Sequence, residues 1–253
     1  MGFDVAAEAY GRFMGRYSEQ LAVSFADSAG LSAGDRVLDV GCGPGALTAQ
    51  LVDRVGLGQV EAVDPSATFV EAARARFPGL AVRLAPAEDL PFDDDVFDAA
   101  LAQLVVHFMA DPVAGLREMG RVVRAGGRVA ACVWDLAGNR SPLSTFWSVV
   151  REIDETAVTE SGLAGARSGQ LVELATAAGL VDPIGSTLTV RVEYADFEDW
   201  WAPYLLGVGP AGTYLARADD ARRVAIRDRC RDLLPEGPFD VVADAWCVHA
   251  SVR

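Results

Sequence analysis

The sequence predicts an α/β fold in which helices cover a mostly parallel, doubly wound sheet. Short apolar runs alternate with amphipathic helical runs from residue 30 to residue 135, as in repeated βα units. Such units form parallel sheets with right-handed crossovers, and their ligands bind at the carboxyl ends of the strands. An apolar fraction of 51% in 253 residues supports the large core that this sheet requires.

The predicted elements begin with a helix over residues 3–30, whose apolar face ends at Gly30. That face carries Phe3, Tyr10, Phe13, Tyr17, Leu21 and Phe25. The alternating elements follow as strand 36–40, helix 44–54, strand 59–63, helix 66–76, strand 80–84, a helical turn at 86–91, strand 97–102, helix 111–123 and strand 127–134.

The alternation stops after Trp134. The remaining pattern predicts helices at 142–156, 170–178 and 218–234, an aromatic segment at 197–206, and strands at 186–194 and 239–252. We therefore predict one domain over residues 1–253. Its core comprises residues 30–135 and 180–253, with an N-terminal helix over 1–29 and a helical cap over 136–180.

The segment from Val37 to Thr48 contains the strongest functional signal. A short strand leads into Gly41, Gly43 and Gly45, and a helix follows. Without Cβ atoms the backbone turns sharply and approaches a ligand closely. About 20 residues later, Asp64 ends the second strand, where a carboxylate accepts hydrogen bonds from ribose hydroxyls. This order predicts a site for an adenosine-bearing cofactor.

The glycines alone also satisfy a loose dinucleotide fingerprint. Asp39 is therefore the residue that distinguishes between two classes of cofactor. A carboxylate two residues before the first glycine would repel a pyrophosphate and attract a sulfonium and an α-ammonium. This charge pattern favours S-adenosylmethionine. The alternative interpretation is that Asp39 only accepts hydrogen bonds from N–H groups of the loop.

The motif Asp39-x-Gly41-x-Gly43-x-Gly45, with Asp64 after it, resembles class I S-adenosylmethionine-dependent methyltransferases. The most similar subgroup is the small-molecule type of the ubiquinone and menaquinone C-methyltransferases. The resemblance extends over residues 35–135 through segments 84–92, 97–112 and 116–129. It implies a Rossmann-like methyltransferase fold with a seven-stranded sheet and an antiparallel last strand. It also implies S-adenosyl-L-methionine as cofactor and S-adenosyl-L-homocysteine as product.

The resemblance and the topology together assign residues to the cofactor site. Pro86 stands where the family often has Asp and offers neither a carboxylate nor an N–H. Adenine recognition is therefore expected from the backbone of Ala87 and from Glu88. The full set of predicted cofactor contacts is Tyr17, Asp39, Gly41, Cys42, Gly43, Asp64, Pro65, Ala87, Glu88 and Gln103.

Aromatic side chains from the N-terminal helix and the cap are predicted to line an acceptor pocket, although core packing is the alternative for several of them. An aromatic pocket implies an apolar or aromatic acceptor, and residues 1–25 and 136–180 are expected to close over it. His107 is the candidate general base, because it is the histidine near the predicted ligand edge. Otherwise the catalytic residue is unassigned. The predicted pocket residues are Tyr10, Trp134, Trp147, Trp200 and Tyr204.

Composition excludes several other functions. A net charge of −14 without a basic run argues against nucleic-acid binding. All 22 basic residues are arginine. The chain therefore lacks the lysine that Schiff-base enzymes, phosphate-binding loops and Tyr-x-x-x-Lys dehydrogenases require. Four scattered cysteines and two histidines predict neither disulfides nor a metal centre. No leader or membrane-spanning run is evident, so a cytoplasmic location is expected.

The sequence thus predicts a methyltransferase that modifies a small-molecule acceptor. The alternative is a cofactor-binding relative without transferase activity that serves as a partner subunit. A dehydrogenase is a third interpretation, weakened by the absence of lysine. The acceptor, the methylated atom and the oligomeric state stay open, with a homodimer among the alternatives.

Overall fold

The computed structural model describes residues 7–253, and a seven-stranded sheet lies at its centre. The strands lie in the order β3-β2-β1-β4-β5-β7-β6. Strands β1 to β5 are parallel, and β7 runs antiparallel to both of its neighbours. This arrangement confirms the predicted doubly wound sheet with an antiparallel last strand. The strands are β1 (Val37–Val40), β2 (Val60–Asp64), β3 (Ala81–Leu84), β4 (Phe97–Gln103), β5 (Val123–Trp134), β6 (Val181–Tyr194) and β7 (Phe239–Ser251).

Helices cover the sheet and extend beyond its carboxyl edge. They are α1 (Ala7–Tyr10), a π-helical turn (Gly11–Gly15), α2 (Arg16–Ser28), α3 (Ala46–Val55), α4 (Ala67–Arg76), α5 (Pro112–Val122), α6 (Ser144–Ile153), α7 (Gln170–Ala177), α8 (Phe197–Trp201), α9 (Gly209–Arg217) and α10 (Asp220–Leu233). Aspartates begin three of them: Asp111, Asp196 and Asp219 each accept a hydrogen bond from the backbone N–H three residues later.

The order of the strands determines where a ligand binds. All four residues of β1 are buried, as expected for a strand covered on both faces. From β1 the chain continues to β2 on one side, whereas β4 pairs with β1 on the other side. The crevice between β1 and β4 is therefore the topological switch point, where doubly wound sheets bind ligands. Asp39 and Gln103 lie at this edge.

The N-terminal region differs from the single helix predicted over residues 3–30, of which Phe3 lies outside the described residues. A π-helical turn at Gly11–Gly15 separates α1 from α2. Helix α2 packs against α3 and β6, with Leu21 and Phe25 fully buried. Helix α2 is therefore a core helix, and the predicted closure of residues 1–25 stays a prediction that this packing favours for residues 7–15 over α2.

The two helices within the predicted cap range 136–180 have different packing partners. Helix α7 packs against α5, β6 and β7 and belongs to the layers of the sheet. Helix α6 instead packs against α10. We therefore group α6 with α8, α9 and α10 as the cap. An aromatic cluster joins α6 to α8, because the ring of Tyr204 lies 4.8 Å from those of both Phe146 and Trp200. The ring of Trp147 in α6 lies 6.0 Å from that of Tyr214 in α9.

Three local predictions differ from the structure. Residues 86–91 form turns and bends without a helix, because prolines at both ends of this segment restrict the backbone. Strands β5 and β6 begin earlier than predicted, each with a register shift near its start. Helix α9 was not predicted, since its first turn contains Gly209 and Pro210 and its apolar pattern is short.

A buried pair of tyrosines anchors α2 to the sheet and supplies a test of this packing. The hydroxyl groups of Tyr17 and Tyr194 share a hydrogen bond of 2.8 Å. Tyr17→Phe or Tyr194→Phe should each lower the free energy of unfolding by about 1–3 kcal/mol, because one buried hydroxyl loses its partner. The double variant should lose less free energy of unfolding than the two single variants together, because neither buried hydroxyl is then left without a partner. Urea denaturation measures both, and additive losses would contradict the contact.

Candidate functional site

A small polar pocket lies at the carboxyl ends of β1 and β4. Its volume is about 30 Å³, and Tyr10 of α1 forms one wall of it. A nucleoside cofactor needs several hundred Å³, so this pocket is smaller than such a ligand. The pocket is lined by Tyr10, Ser18, Asp39, Gly41, Cys42, Gly43, Pro44, Ala46, Leu47 and Gln103.

Two glycines shape the loop after β1. The N–H groups of Gly41 and Cys42 both donate to the carbonyl of Val63, at 2.8 and 2.9 Å. Gly41 has φ +71°, and a Cβ there would lie 2.4 Å from a methyl group of Val105. Gly43 has φ +53°, and a Cβ there would meet no described atom within 4 Å. Gly41 is thus required for packing, whereas Gly43 exposes its backbone to the pocket.

Asp64 joins the end of β2 to the glycine loop. Its Oδ2 accepts a hydrogen bond from the N–H of Gly43, and its Oδ1 accepts one from the N–H of Ser66, both at 2.8 Å. Burial raises the pKa of this carboxyl group, while both N–H groups oppose the shift. Each carboxylate oxygen has a second acceptor position, so Asp64 keeps the capacity to bind a pair of hydroxyl groups.

Asp39 is a buried carboxylate in the wall of the same pocket. Its Oδ2 accepts a hydrogen bond of 2.6 Å from the hydroxyl of Thr48 on α3. Burial raises the pKa of Asp39 to about 7; Thr48 lowers it and the charge of Asp64 raises it further. The structure therefore gives Asp39 a side-chain partner on α3.

Gln103 supplies another hydrogen-bond acceptor to the pocket. Its Nε2 donates to the carbonyl of Ser18 at 2.9 Å. Its Oε1 is buried and accepts no hydrogen bond from residues 7–253. In that part of the chain, neither Asp39 nor Asp64 forms an ion pair with an arginine or histidine. The pocket is therefore rich in acceptors and suited to a cationic, hydroxylated ligand.

Other predicted cofactor residues lie outside this pocket wall. Tyr17 directs its hydroxyl to Tyr194, and Tyr10 occupies the wall instead. Glu88 Oε1 accepts hydrogen bonds from the N–H groups of Ala110 and Asp111, at 2.7 and 3.2 Å. Ala87 is buried and Pro65 is exposed. The contacts assigned to Tyr17, Pro65, Ala87 and Glu88 remain predictions.

A mostly apolar inner cavity of about 50 Å³ lies beyond Tyr10. Tyr10 borders both this cavity and the cofactor pocket. Trp134 lines the cavity as predicted for an acceptor pocket, whereas Trp200 and Tyr204 belong to the aromatic cluster of the cap. The cavity is lined by Tyr10, Phe13, Met14, Leu104, His107, Phe108, Trp134, Leu136, Leu143, Glu160, Val208, Gly209 and Pro210.

An outer cleft of about 640 Å³ adjoins the inner cavity. Phe108, Gly209 and Pro210 line both spaces. Trp147, one of the predicted pocket residues, lines the cleft together with Arg217 and others. A molecule that enters through the cleft would therefore meet the shared wall before it reaches the cavity.

His107 lies in the inner cavity with its imidazole buried. Burial lowers its pKa to about 3, so the ring is neutral at physiological pH and a weak base as it stands. Its Nδ1 has no hydrogen-bond partner within the described chain. A general-base role for His107 remains a prediction, and its geometry equally suits hydrogen bonding to a ligand.

Glu160 is the functional candidate that the sequence analysis missed. Only 6% of this residue is exposed, and its Oε2 accepts a hydrogen bond of 2.7 Å from Nε1 of Trp147. Burial raises its pKa to about 7, and the hydrogen bond from Trp147 opposes that shift. Glu160 lies in a short helical turn between α6 and α7, and no motif in the sequence distinguishes it from exposed glutamates.

Comparison with known proteins agrees with this geometry. Residues 38–131 match a family described as a methyltransferase domain. An uncharacterized methyltransferase of Mycobacterium bovis is 41% identical over 109 residues, which is 43% of each chain. The ubiquinone/menaquinone biosynthesis C-methyltransferase of Chromobacterium violaceum is 36% identical over 125 residues, or 47% of this chain and 50% of that protein. The matched segment thus spans half or less of both relatives.

The fold extends further than the sequence similarity. The crystal structure of the YcgJ protein from Bacillus subtilis aligns with a TM-score of 0.59 over 94% of this chain and 98% of that one. Its sequence is 21% identical, so this likeness concerns the fold alone.

Two features are absent from the part of the chain that the structure describes. Among residues 7–253, no group of three or more metal-ligating side chains comes together. The same residues include no helix that combines the length and apolarity needed to cross a membrane. The four cysteines are buried free thiols.

The position of Asp64 predicts a measurable contribution to ligand binding. Asp64→Ala should weaken binding of S-adenosylhomocysteine about 10- to 100-fold, because hydrogen bonds to a charged acceptor are lost. Asp53→Ala, which alters an exposed aspartate on α3, serves as the matched control. Calorimetric titration of both folded variants measures the effect, and an equal dissociation constant for the two would contradict this placement.

Proposed function

We propose that this chain, of which residues 38–131 match a methyltransferase domain, is a class I S-adenosylmethionine-dependent methyltransferase that methylates a small, largely apolar molecule. The observation that supports this proposal most strongly is the position of Tyr10 between two spaces. An acceptor-rich pocket beside the glycine loop and an apolar cavity share this one side chain. A methyl donor in the first space and an acceptor in the second would therefore lie next to each other.

The residues that line the pocket, and Asp64 beside it, fit the cofactor. Asp39 and the free Oε1 of Gln103 offer acceptors for an α-ammonium group, and Asp64 offers a carboxylate for the ribose hydroxyls. The backbone at Gly43 allows close approach. A pyrophosphate would instead meet two buried carboxylates without a neutralising cation. This charge pattern supports S-adenosylmethionine over a dinucleotide.

The chain's contribution to the reaction is positioning and the exclusion of water. When bound, the cofactor supplies an activated methyl group, whose transfer needs an aligned acceptor. Alignment in a water-poor site contributes up to about 7–11 kcal/mol to catalysis. Tyr10, Phe13 and Trp134 provide apolar walls that orient an acceptor, and His107 and Glu160 provide hydrogen-bonding groups.

Access to the cofactor pocket would depend on the segment before α2. Tyr10 packs edge-on against Phe69, with 5.4 Å between ring centroids. The adjoining π-helical turn contains Gly11 and Gly15, and such turns are frequent at functional sites. We include in the proposal that residues 7–15 swing away to admit the cofactor while α2 stays in place.

The proposed setting is a reducing cytoplasm, in keeping with the four free cysteine thiols. The proposed partner is the small-molecule acceptor, and the abundance of acidic residues supports no nucleic-acid substrate.

The proposal is tested by binding and then by turnover. We expect S-adenosylhomocysteine to bind and NAD not to bind in parallel calorimetric titrations, because the pocket carries buried carboxylates. Radiolabelled methyl transfer from S-adenosylmethionine to an extract of small molecules should then yield apolar labelled products. Binding without any transfer would support the partner-subunit alternative, and binding of NAD alone would overturn the proposal.

A further inference from the structure

Glu160 places a carboxylate that forms no ion pair in the wall of the mostly apolar inner cavity. Its Oε2 accepts the hydrogen bond from Trp147, and no described group donates to its Oε1. The ion pairs formed by the described residues do not include Glu160. Burying a carboxylate without a cation is unfavourable, so a cationic ligand would stabilise this residue.

The charged and titratable groups around Glu160 do not neutralise it. His107 shares the cavity but is neutral, since burial lowers its pKa to about 3. Tyr204 of the cap lies close enough for the charge of Glu160 to raise the pKa of its hydroxyl further. Arg151 borders a small pocket on the other side of Glu160, where its guanidinium donates to Oδ1 of Asn139 at 2.8 Å. Tyr10 completes the nearby titratable groups of the cavity.

Two other polar groups of the cavity wall also lack a hydrogen-bond partner within the described residues. Nδ1 of His107 and Nε1 of Trp134 are buried without a hydrogen bond to any residue in 7–253. The remaining wall consists mainly of aliphatic and aromatic side chains, among them Phe13 and Phe108. Aromatic faces attract cations, most strongly where water is excluded. When Glu160 is ionised, the cavity therefore combines one negative charge with walls that favour a positive one.

We propose that Glu160 binds the ammonium group of an amine-bearing acceptor, so that this chain selects apolar amines over neutral molecules of the same shape. The inference rests on the proposed methyltransferase function and narrows its substrate class. An ammonium group would neutralise Glu160 and donate to its free Oε1 at the same time. A hydroxyl group would satisfy the hydrogen bond and leave the buried charge uncompensated.

The sizes of the two spaces agree with this selection. The inner cavity of about 50 Å³ has room for a few water-sized groups, which suits an ammonium group and its stem. The outer cleft of about 640 Å³ is large enough for the body of a small molecule. Phe108 and Pro210 line the boundary between the two spaces. An amine could therefore reach Glu160 while its apolar body remains in the cleft.

The test compares matched amines and alcohols in the full chain saturated with S-adenosylhomocysteine. The probes are 2-phenylethylamine against 2-phenylethanol, and tryptamine against tryptophol. We expect each amine to bind at least about tenfold tighter than its alcohol, because a charge-assisted contact replaces a neutral one. Glu160→Gln should abolish this preference, and Glu160→Asp should retain part of it. Glu155→Gln, which alters an exposed glutamate nearby, should behave as the unchanged chain.

A pH series adds a second readout. The amine dissociation constant should fall about tenfold between pH 6 and pH 8, as Glu160 becomes ionised while the probe stays protonated. Glu160→Gln should remove this dependence without altering affinity for S-adenosylhomocysteine. Equal binding of amine and alcohol, failure of either amine to bind, or a preference that survives in Glu160→Gln would overturn the inference. Failure of S-adenosylhomocysteine to bind would instead overturn the proposed function, while the amine preference could still be measured.

Discussion

The burial of carboxylates without cations is the constraint on which the rest of this site depends. Asp39 and Asp64 lie at the ends of neighbouring strands, and the pairing of β1 with β2 fixes them there. Their hydrogen bonds to Thr48, Gly43 and Ser66 hold the glycine loop in place. These bonds do not neutralise the charge, so the loop is an anionic pocket built from ordinary βα geometry. A cationic ligand completes it, which is why the charge of the site identifies the cofactor class better than the glycines do.

This constraint has a consequence for stability. The pKa of Asp39 rises from an ordinary 3.8 to about 7 in the folded chain. The folded state therefore holds a proton more tightly than the unfolded state, and the contribution of Asp39 to stability decreases as the pH rises from about 4 to 7. A ligand cation beside Asp39 would offset this loss. At neutral pH the buried Asp39 thus contributes less to the stability of the free protein, and the same carboxylate provides the negative charge that selects the ligand.

The sequence predicted the parts of the site that depend on local pattern. The glycine loop, Asp39, Asp64 and Gln103 follow from strand ends and spacing, and all four features meet at the predicted edge. The acceptor side follows from tertiary packing and was predicted less well. Tyr10 lines the pocket, whereas the hydroxyl of Tyr17 is bonded to Tyr194 on β6, a contact between residues far apart in sequence. Trp200 and Tyr204 are held by the aromatic cluster, which requires helices distant in sequence. Glu160 has no sequence signal, because its significance comes only from the cavity that surrounds it.

The most direct test of the charge argument is the number of protons exchanged when S-adenosylhomocysteine binds at pH 7. Calorimetric titrations in two buffers of different ionisation enthalpy measure this number. If a ligand cation lowers the pKa of Asp39 from about 7, binding should release a fraction of a proton, up to about one half. The release should disappear in Asp39→Asn, provided that the variant is folded and saturated with ligand. Binding without proton release, or equal release by the variant, would contradict the account.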